Sequence, residues 1–509
     1  MQPIPHQQET LQSSPESTVP DPDSSRLHSL HLGARVFQNA AAILGGRGLS
    51  IALSAVASVL LVRYLGSERL GEFGAIYAYL ALYGWLIVFG FEPVLIREIS
   101  RERDSAANLV HTAVVLSTIL SAATIAIALL IAPFAGYGGP LRMLLVLGAL
   151  ELLFTPLRLP AIIFQVDMRQ WYLAGINIAR QGLWLAFVVV FWLIKAPLFY
   201  VIMGRSLTAF VESMLMWVLA RRYLAAHRKF LWERAWALMS HSFPIAFTAL
   251  LSTIYLRIDQ VMLHKMATDA ILGQYVAAVK ISELCELLPF ALMSSLAPLL
   301  CVAAAQPTQF RSYVDKSFRY SLVVAAGLCV VMSVGARPVI YLLYGKQYSA
   351  AAPLLAVLIW SEIAVFFAAV ISNALIASNL QKFLPLATAF GAAVNVALNL
   401  ILIPRYAAMG AAWATLVSYT SAWMIFPLLF GKTRALMGQG LRIVMPTLGV
   451  TLIAVGTAFV VPLPSVARTF IAFALFLSGV WMTRVIHRSD FTYVLAALRQ
   501  SFRKVSPVT

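Results

Sequence analysis

Residues 242–263 read SFPIAFTALLSTIYLRIDQVML. Ser242 to Ile254 hold no charge, and then Arg257 and Asp259 arrive two positions apart. A helix turns about 200° over two residues, so these side chains leave it on nearly opposite faces and cannot pair with each other. A run of this length and apolarity suits a membrane crossing. Each of its charges then needs a partner or a cavity of its own.

The rest of the chain repeats the pattern. Its 509 residues are 61% hydrophobic and 12% charged, with a mean hydropathy of +0.83, whereas a soluble domain carries about 25% charged residues. Apolar runs of about 20 residues recur along nearly the whole length. They predict an all-α polytopic membrane protein of about 14 transmembrane helices. The connections are short, which argues against an enzyme that needs a sizeable external domain for its catalytic groups.

The net charge of +17 has a membrane explanation. Lys and Arg concentrate in REISRERD at 97–104, RRYLAAHRKFLWER at 221–234 and the C-terminal tail, while the opposite side holds single cations such as Arg63, Arg142, Lys195, Lys265 and Lys346. This asymmetry predicts an inner (plasma) membrane protein with both termini cytoplasmic, and it accounts for the basicity without nucleic acid. Cys285, Cys301 and Cys329 sit in apolar segments without metal-type spacing and read as inert thiols. No metal site or cofactor is expected.

The expected organisation starts with a disordered cytoplasmic tail at 1–34, rich in Ser, Pro and acids and unlike a signal peptide. A six-helix lobe at 35–222 and a basic cytoplasmic linker at 223–240 follow. A second six-helix lobe occupies 241–431, two extra transmembrane helices 432–488, and a basic cytoplasmic tail 489–509. The lobes carry a faint repeat. LGEF at 70–73 returns as LGQY at 272–275, and Glu151 and Gln170 return as Glu362 and Gln381. Two copies of an even-numbered bundle face the same way about an axis along the membrane normal, an arrangement that places a cavity between them. The Leu-Gly pairs are expected to supply tight turns.

Four blocks carry a resemblance: LGSERLGEFG at 65–74, YLRIDQVML running on to LGQYVAAVKISE at 272–283, YGKQYSAAAPLLAVL at 344–358, and NVALNLILIPRYAAMGAAWATLVSY at 395–419. They resemble the polysaccharide flippases of the multidrug/oligosaccharidyl-lipid/polysaccharide exporter superfamily, over roughly residues 35 to 485. The resemblance implies a transporter that flips polyprenyl-diphosphate-linked oligosaccharide from the cytoplasmic to the periplasmic leaflet by alternating access. Its products would feed surface polysaccharide such as O-antigen or exopolysaccharide, with polymerase or ligase machinery as partners. A lipid II flippase or a multidrug exporter of the same superfamily is the alternative. A polysaccharide ligase or polymerase is disfavoured, because no outer loop is long enough.

Such a substrate needs cations for its diphosphate. Arg47, Arg180, Arg257 and Lys280 are the substrate-binding candidates. Lys280 and Glu283 are spaced to satisfy each other on one helix face, which leaves Arg257 without a local partner. No Walker motif is present, so coupling to H+ or Na+ through a carboxylate is expected, with Asp259 first and Glu286 or Glu92 next. Arg205 and Arg337 are expected to snorkel from helix ends. Asn395 and Asn399 share a face, placed for hydrogen bonds between helices.

Overall fold

The computed structural model describes residues 22–223, 229–230, 232–483 and 485, with side chains from residue 45 onward. Of the expected disordered tail at 1–34, residues 1–21 lie outside these residues, as does the whole expected tail at 489–509, while 22–34 are helical and belong to the first helix, which is under way at Pro22. The chain forms α1 (Pro22–Val88), α2 (Phe91–Arg101), α3 (Ala106–Ile131), α4 (Gly139–Phe154), α5 (Ile162–Val166), α6 (Gln170–Ile194), α7 (Leu198–Ala220) and α8 (Trp232–Met266). It continues with α9 (Asp269–Cys285), α10 (Leu287–Ala303), α11 (Pro307–Val334), α12 (Ala336–Tyr344), α13 (Ala351–Leu358), α14 (Ser361–Ala377), α15 (Phe383–Thr420), α16 (Gly431–Val460) and α17 (Ser465–Met482).

Among the described residues, twelve helical segments are long and apolar enough to cross a membrane. Two of them double back. Gly66 breaks α1 (φ 71°, ψ 173°) and Ala407 breaks α15 (φ 47°, ψ −127°). About Ala407 the two arms pair like a zipper: Asn395 Nδ2 donates to Ser418 Oγ at 3.1 Å, Gly391 faces Ala422, and Gly410 lies against the Leu402 carbonyl. With both arms of each hairpin counted, the chain makes the expected fourteen crossings. A positive φ at Ala407 is strained for a residue with a Cβ, and the paired arms hold it there.

The repeat motifs meet at one end of the molecule, called outer here after the asymmetry of basic residues. Gly71 in α1 and Gly273 in α9 sit inside helices, not in turns. A Cβ on Gly71 would overlap the carbonyl oxygen of Asp269, and one on Gly273 would overlap that of Ser67. The contact is reciprocal, as an axis between two lobes requires. It corrects the tight-turn role expected for both glycines, since the backbone reversal lies at Gly66. In lipid the apolar effect does not drive helices together, so such close backbone approach is what gains packing energy.

Around this crossing the lobes are stitched through main-chain carbonyls. Arg63 Nε donates to Leu343 O at 2.6 Å, and its Nη2 donates to Leu342 O. Gln347 Nε2 donates to Arg63 O at 3.0 Å, Tyr348 Oη to Val62 O at 2.7 Å, and Lys265 Nζ to Phe134 O at 2.9 Å. A continuous apolar core, with Leu61, Leu70 and Tyr79 against Leu272, Tyr275 and Leu355, closes the gap.

Helix α8 belongs to both lobes. Leu238 and Ala246 near its inner end pack with Phe91 and Val94 of the first lobe, whereas Tyr255 packs with Ala364 and Tyr419 of the second. Helices α16 and α17 lie outside this frame. Gly440 of α16 abuts Phe318 and Phe367, and Gly479 of α17 abuts Val450, so both flank the second lobe.

Candidate functional site

Two adjoining cavities of about 300 and 500 Å³ lie between the lobes. Their walls share Phe73, Arg205, Lys280 and Glu283. Each lobe contributes charge: Arg47 from α1, Glu151 from α4 and Arg205 from α7 face Arg257 from α8 and Lys280 and Glu283 from α9. Arg205 Nε lies 3.2 Å from Glu151 Oε2, with its guanidinium 4.2 Å from the Tyr77 ring centre. Arg257 Nη1 lies 2.8 Å from Glu283 Oε1. Arg47 sits 5.0 Å from the ring centre of Phe290.

Lys280 forms no ion pair or hydrogen bond among the described residues. The expected partnerships are therefore exchanged: Glu283 serves Arg257 on the neighbouring helix, and Lys280 is left facing the cavity. A guanidinium reaching across from α8 can present its planar fork to the carboxylate, which an ammonium on the same helix cannot match. With four cations against two carboxylates, this wall carries surplus positive charge.

Arg180 is placed differently. Its Nε lies 3.3 Å from Glu212 Oε1 and its Nη2 donates to Asn177 Oδ1 at 3.2 Å. Glu212 is buried and also pairs with Arg158 at 3.0 Å. Arg158, Glu212 and Asn177 border a third cavity of about 420 Å³ inside the first lobe, which shares Asn177 with the larger central one. Glu92 is at its inner edge, accepting from Gln165 Nε2 at 2.5 Å.

Asp259 points away from Arg257, as the helix geometry requires. It is only 6% exposed and accepts from the Gln260 amide at 2.8 Å and from the Tyr275 hydroxyl. That hydroxyl lies 3.3 Å from Thr415 Oγ1, so α8, α9 and α15 converge on one carboxylate. Glu286, at the junction of α9 and α10, is half-buried with no partner among the described residues. Asn399 Nδ2 donates to Asn395 Oδ1 at 2.9 Å, which completes the interhelical chain to Ser418. Outside the spans, Arg234 holds the Glu102 carboxyl below the usual range through two hydrogen bonds of 2.9 and 3.2 Å.

Arg205, Glu151 and Glu283 line the central cavities but were not among the site residues expected from the sequence. Arg205 was expected to snorkel, yet it lies seven residues inside α7, about 10 Å along the helix axis. That depth was the available signal. Arg337 does stay at a helix end, exposed beside the Tyr341 ring at 5.8 Å.

The family model described as "Polysaccharide biosynthesis protein" matches residues 36–303, and the MatE model matches 244–401. Among solved structures, the lipid II flippase MurJ in an inward closed conformation superposes with a TM-score of 0.66 at 14% identity, covering 88% of this chain and 98% of that one. An inward-facing multidrug resistance MATE family transporter gives 0.62 at 14% identity, over 77% and 96%. Its outward-facing conformation gives 0.55 at 14% identity, over 80% and 96%. An uncharacterized membrane protein of Methanocaldococcus jannaschii is 28% identical over 111 residues, which is 22% of each chain. The chain thus spans about a fifth of that curated relative. Matched over more than half its length by one family's model, the chain belongs to the polysaccharide biosynthesis protein family of the multidrug/oligosaccharidyl-lipid/polysaccharide exporter superfamily.

Proposed function

We propose that this protein flips a polyprenyl-diphosphate-linked oligosaccharide across the bacterial inner membrane, from the cytoplasmic to the periplasmic leaflet. The single observation that carries this reading is Lys280, an unpaired ammonium in a cavity that already holds Arg47, Arg205 and Arg257. Glu283 acts on Lys280 through its charge but is already paired with Arg257, so an ammonium at this depth gains from a visiting anion. A diphosphate is such an anion, and its oxygens accept charge-assisted hydrogen bonds from all four side chains. With the lobes clasped at the outer end, loading in this reading occurs from the cytoplasmic side. Transport needs no covalent chemistry, only rocking of the lobes about the outer seal. Coupling runs through an ion at Asp259, the carboxylate on which three helices converge, with Glu286 as the second carrier. Glycan delivered outside would pass to polymerase or ligase machinery.

Proteoliposomes containing the labelled lipid-linked oligosaccharide test this. Lys280→Ala should slow transfer between leaflets about 10- to 100-fold, the loss of one hydrogen bond to a charged group, and Lys280→Arg should restore part of it. Full transfer by Lys280→Ala, or no transfer by the wild type, would sink the proposal. Lipid II carries the same diphosphate, and parallel vesicles loaded with it separate that alternative.

A further inference from the structure

We infer that the 420 Å³ cavity inside the first lobe is a separate subsite for an uncharged sugar of the glycan, beside the diphosphate centre. This inference rests on the flippase reading. Its ground is a division of charge between neighbouring cavities. The central wall has four cations against Glu151 and Glu283. In the first-lobe cavity, Arg158 stands against Glu212 and Glu92, so a diphosphate finds no surplus of positive charge there.

What the first-lobe cavity does offer is hydrogen-bonding capacity. Asn177 gives its oxygen to Arg180, and its amide N–H groups have no partner among the described residues. Gln165 donates to Glu92, and its carbonyl oxygen is likewise free among the described residues. One free donor set and one free acceptor on planar amides suit hydroxyl groups, which both give and take hydrogen bonds. Leu159, Ile162 and Met216 give the wall an apolar stretch, which suits the C–H face of a sugar ring. The volume lies within the range of small-molecule sites, about 300–1,000 Å³. Asn177 lines both this cavity and the central one, so a sugar here would be contiguous with a diphosphate at Lys280 and Arg205.

The test is equilibrium binding to the full chain in lipid nanodiscs with two ligands, a short-chain polyprenyl diphosphate and the same lipid bearing one N-acetylhexosamine. Gln165→Ala should weaken binding of the glycosylated lipid about fivefold, one neutral hydrogen bond, and leave the bare diphosphate unchanged. Glu92→Ala, which frees the same amide from its anchor, should act in the same direction. Lys280→Ala should weaken both ligands. Equal loss of both ligands in Gln165→Ala, or no loss of either, overturns the sugar subsite while the flippase reading stands. Failure of the wild type to bind either ligand overturns both.

Discussion

Arg257 and Asp259 illustrate what a single helix turn can and cannot say. Their divergence follows from helix geometry alone. Their partners do not, because Glu283 and Tyr275 belong to the next helix and lie 26 and 16 residues away from Arg257 and Asp259. Asp259→Asn keeps an oxygen to accept from Gln260 and Tyr275, so the variant should fold and bind lipid-linked substrate normally. On the ion coupling proposed for Asp259, the amide can no longer carry the ion. Transport should therefore fall by at least about tenfold, equivalent to about 1.4 kcal/mol of barrier, with expression and binding intact. Wild-type transport by this variant would reduce Asp259 to a packing role. The list of intramembrane charges was legible because charge stands out against apolar sequence. Their pairing was not, since a salt bridge between helices leaves no local pattern, and so Lys280 and Arg257 exchanged roles.

Helices were the most legible feature, because apolar runs long enough to span a bilayer have few other uses. The reversal in α1 was expected at LGEF (70–73), whereas the backbone turns at Gly66, five residues before Gly71. What the repeat glycines do was hidden. Gly71 and Gly273 look like turn residues, yet each is needed where another helix's carbonyl comes close. Gly273→Val should push α9 off Ser67 and prop the outer seal open. With Gln260→Cys in the cavity wall and the three native cysteines replaced by Ser, a membrane-impermeant maleimide added outside should then react faster than in the parent with Gly273. Unchanged labelling would mean that the crossing is not part of the gate. Helix α8 invites the same kind of attention. Pro244, among its first-lobe anchors, removes a backbone donor, and between these anchors and Tyr255 the side chains of Thr248, Ser252 and Thr253 return hydrogen bonds to carbonyls four residues back at 2.9, 3.0 and 2.8 Å. Both features loosen a helix, so bending is easiest where the lobes part.

For the molecule as a whole, closure at the outer end and the cationic cavity beneath it form one device. Glu102 and Arg234 tie α8 to the first lobe at the opposite end. The depressed Glu102 carboxyl keeps this tie above its ordinary titration range, and the tie weakens only as pH falls through the lowered value.

The stitches of the outer seal share one property: Arg63, Gln347, Tyr348 and Lys265 all reach for backbone oxygens, which every amino acid supplies. Each clasp is thus written on one side only. Across homologous chains, Arg63, Gln347, Tyr348 and Lys265 should be retained while residues 62, 134, 342 and 343 drift without compensating changes. An alignment that shows strong covariation across these pairs would contradict this. The halves of this transporter can therefore diverge in sequence, as Glu151, paired with Arg205, and Glu362, accepting from the Ser282 hydroxyl, differ in partners, and still close on each other.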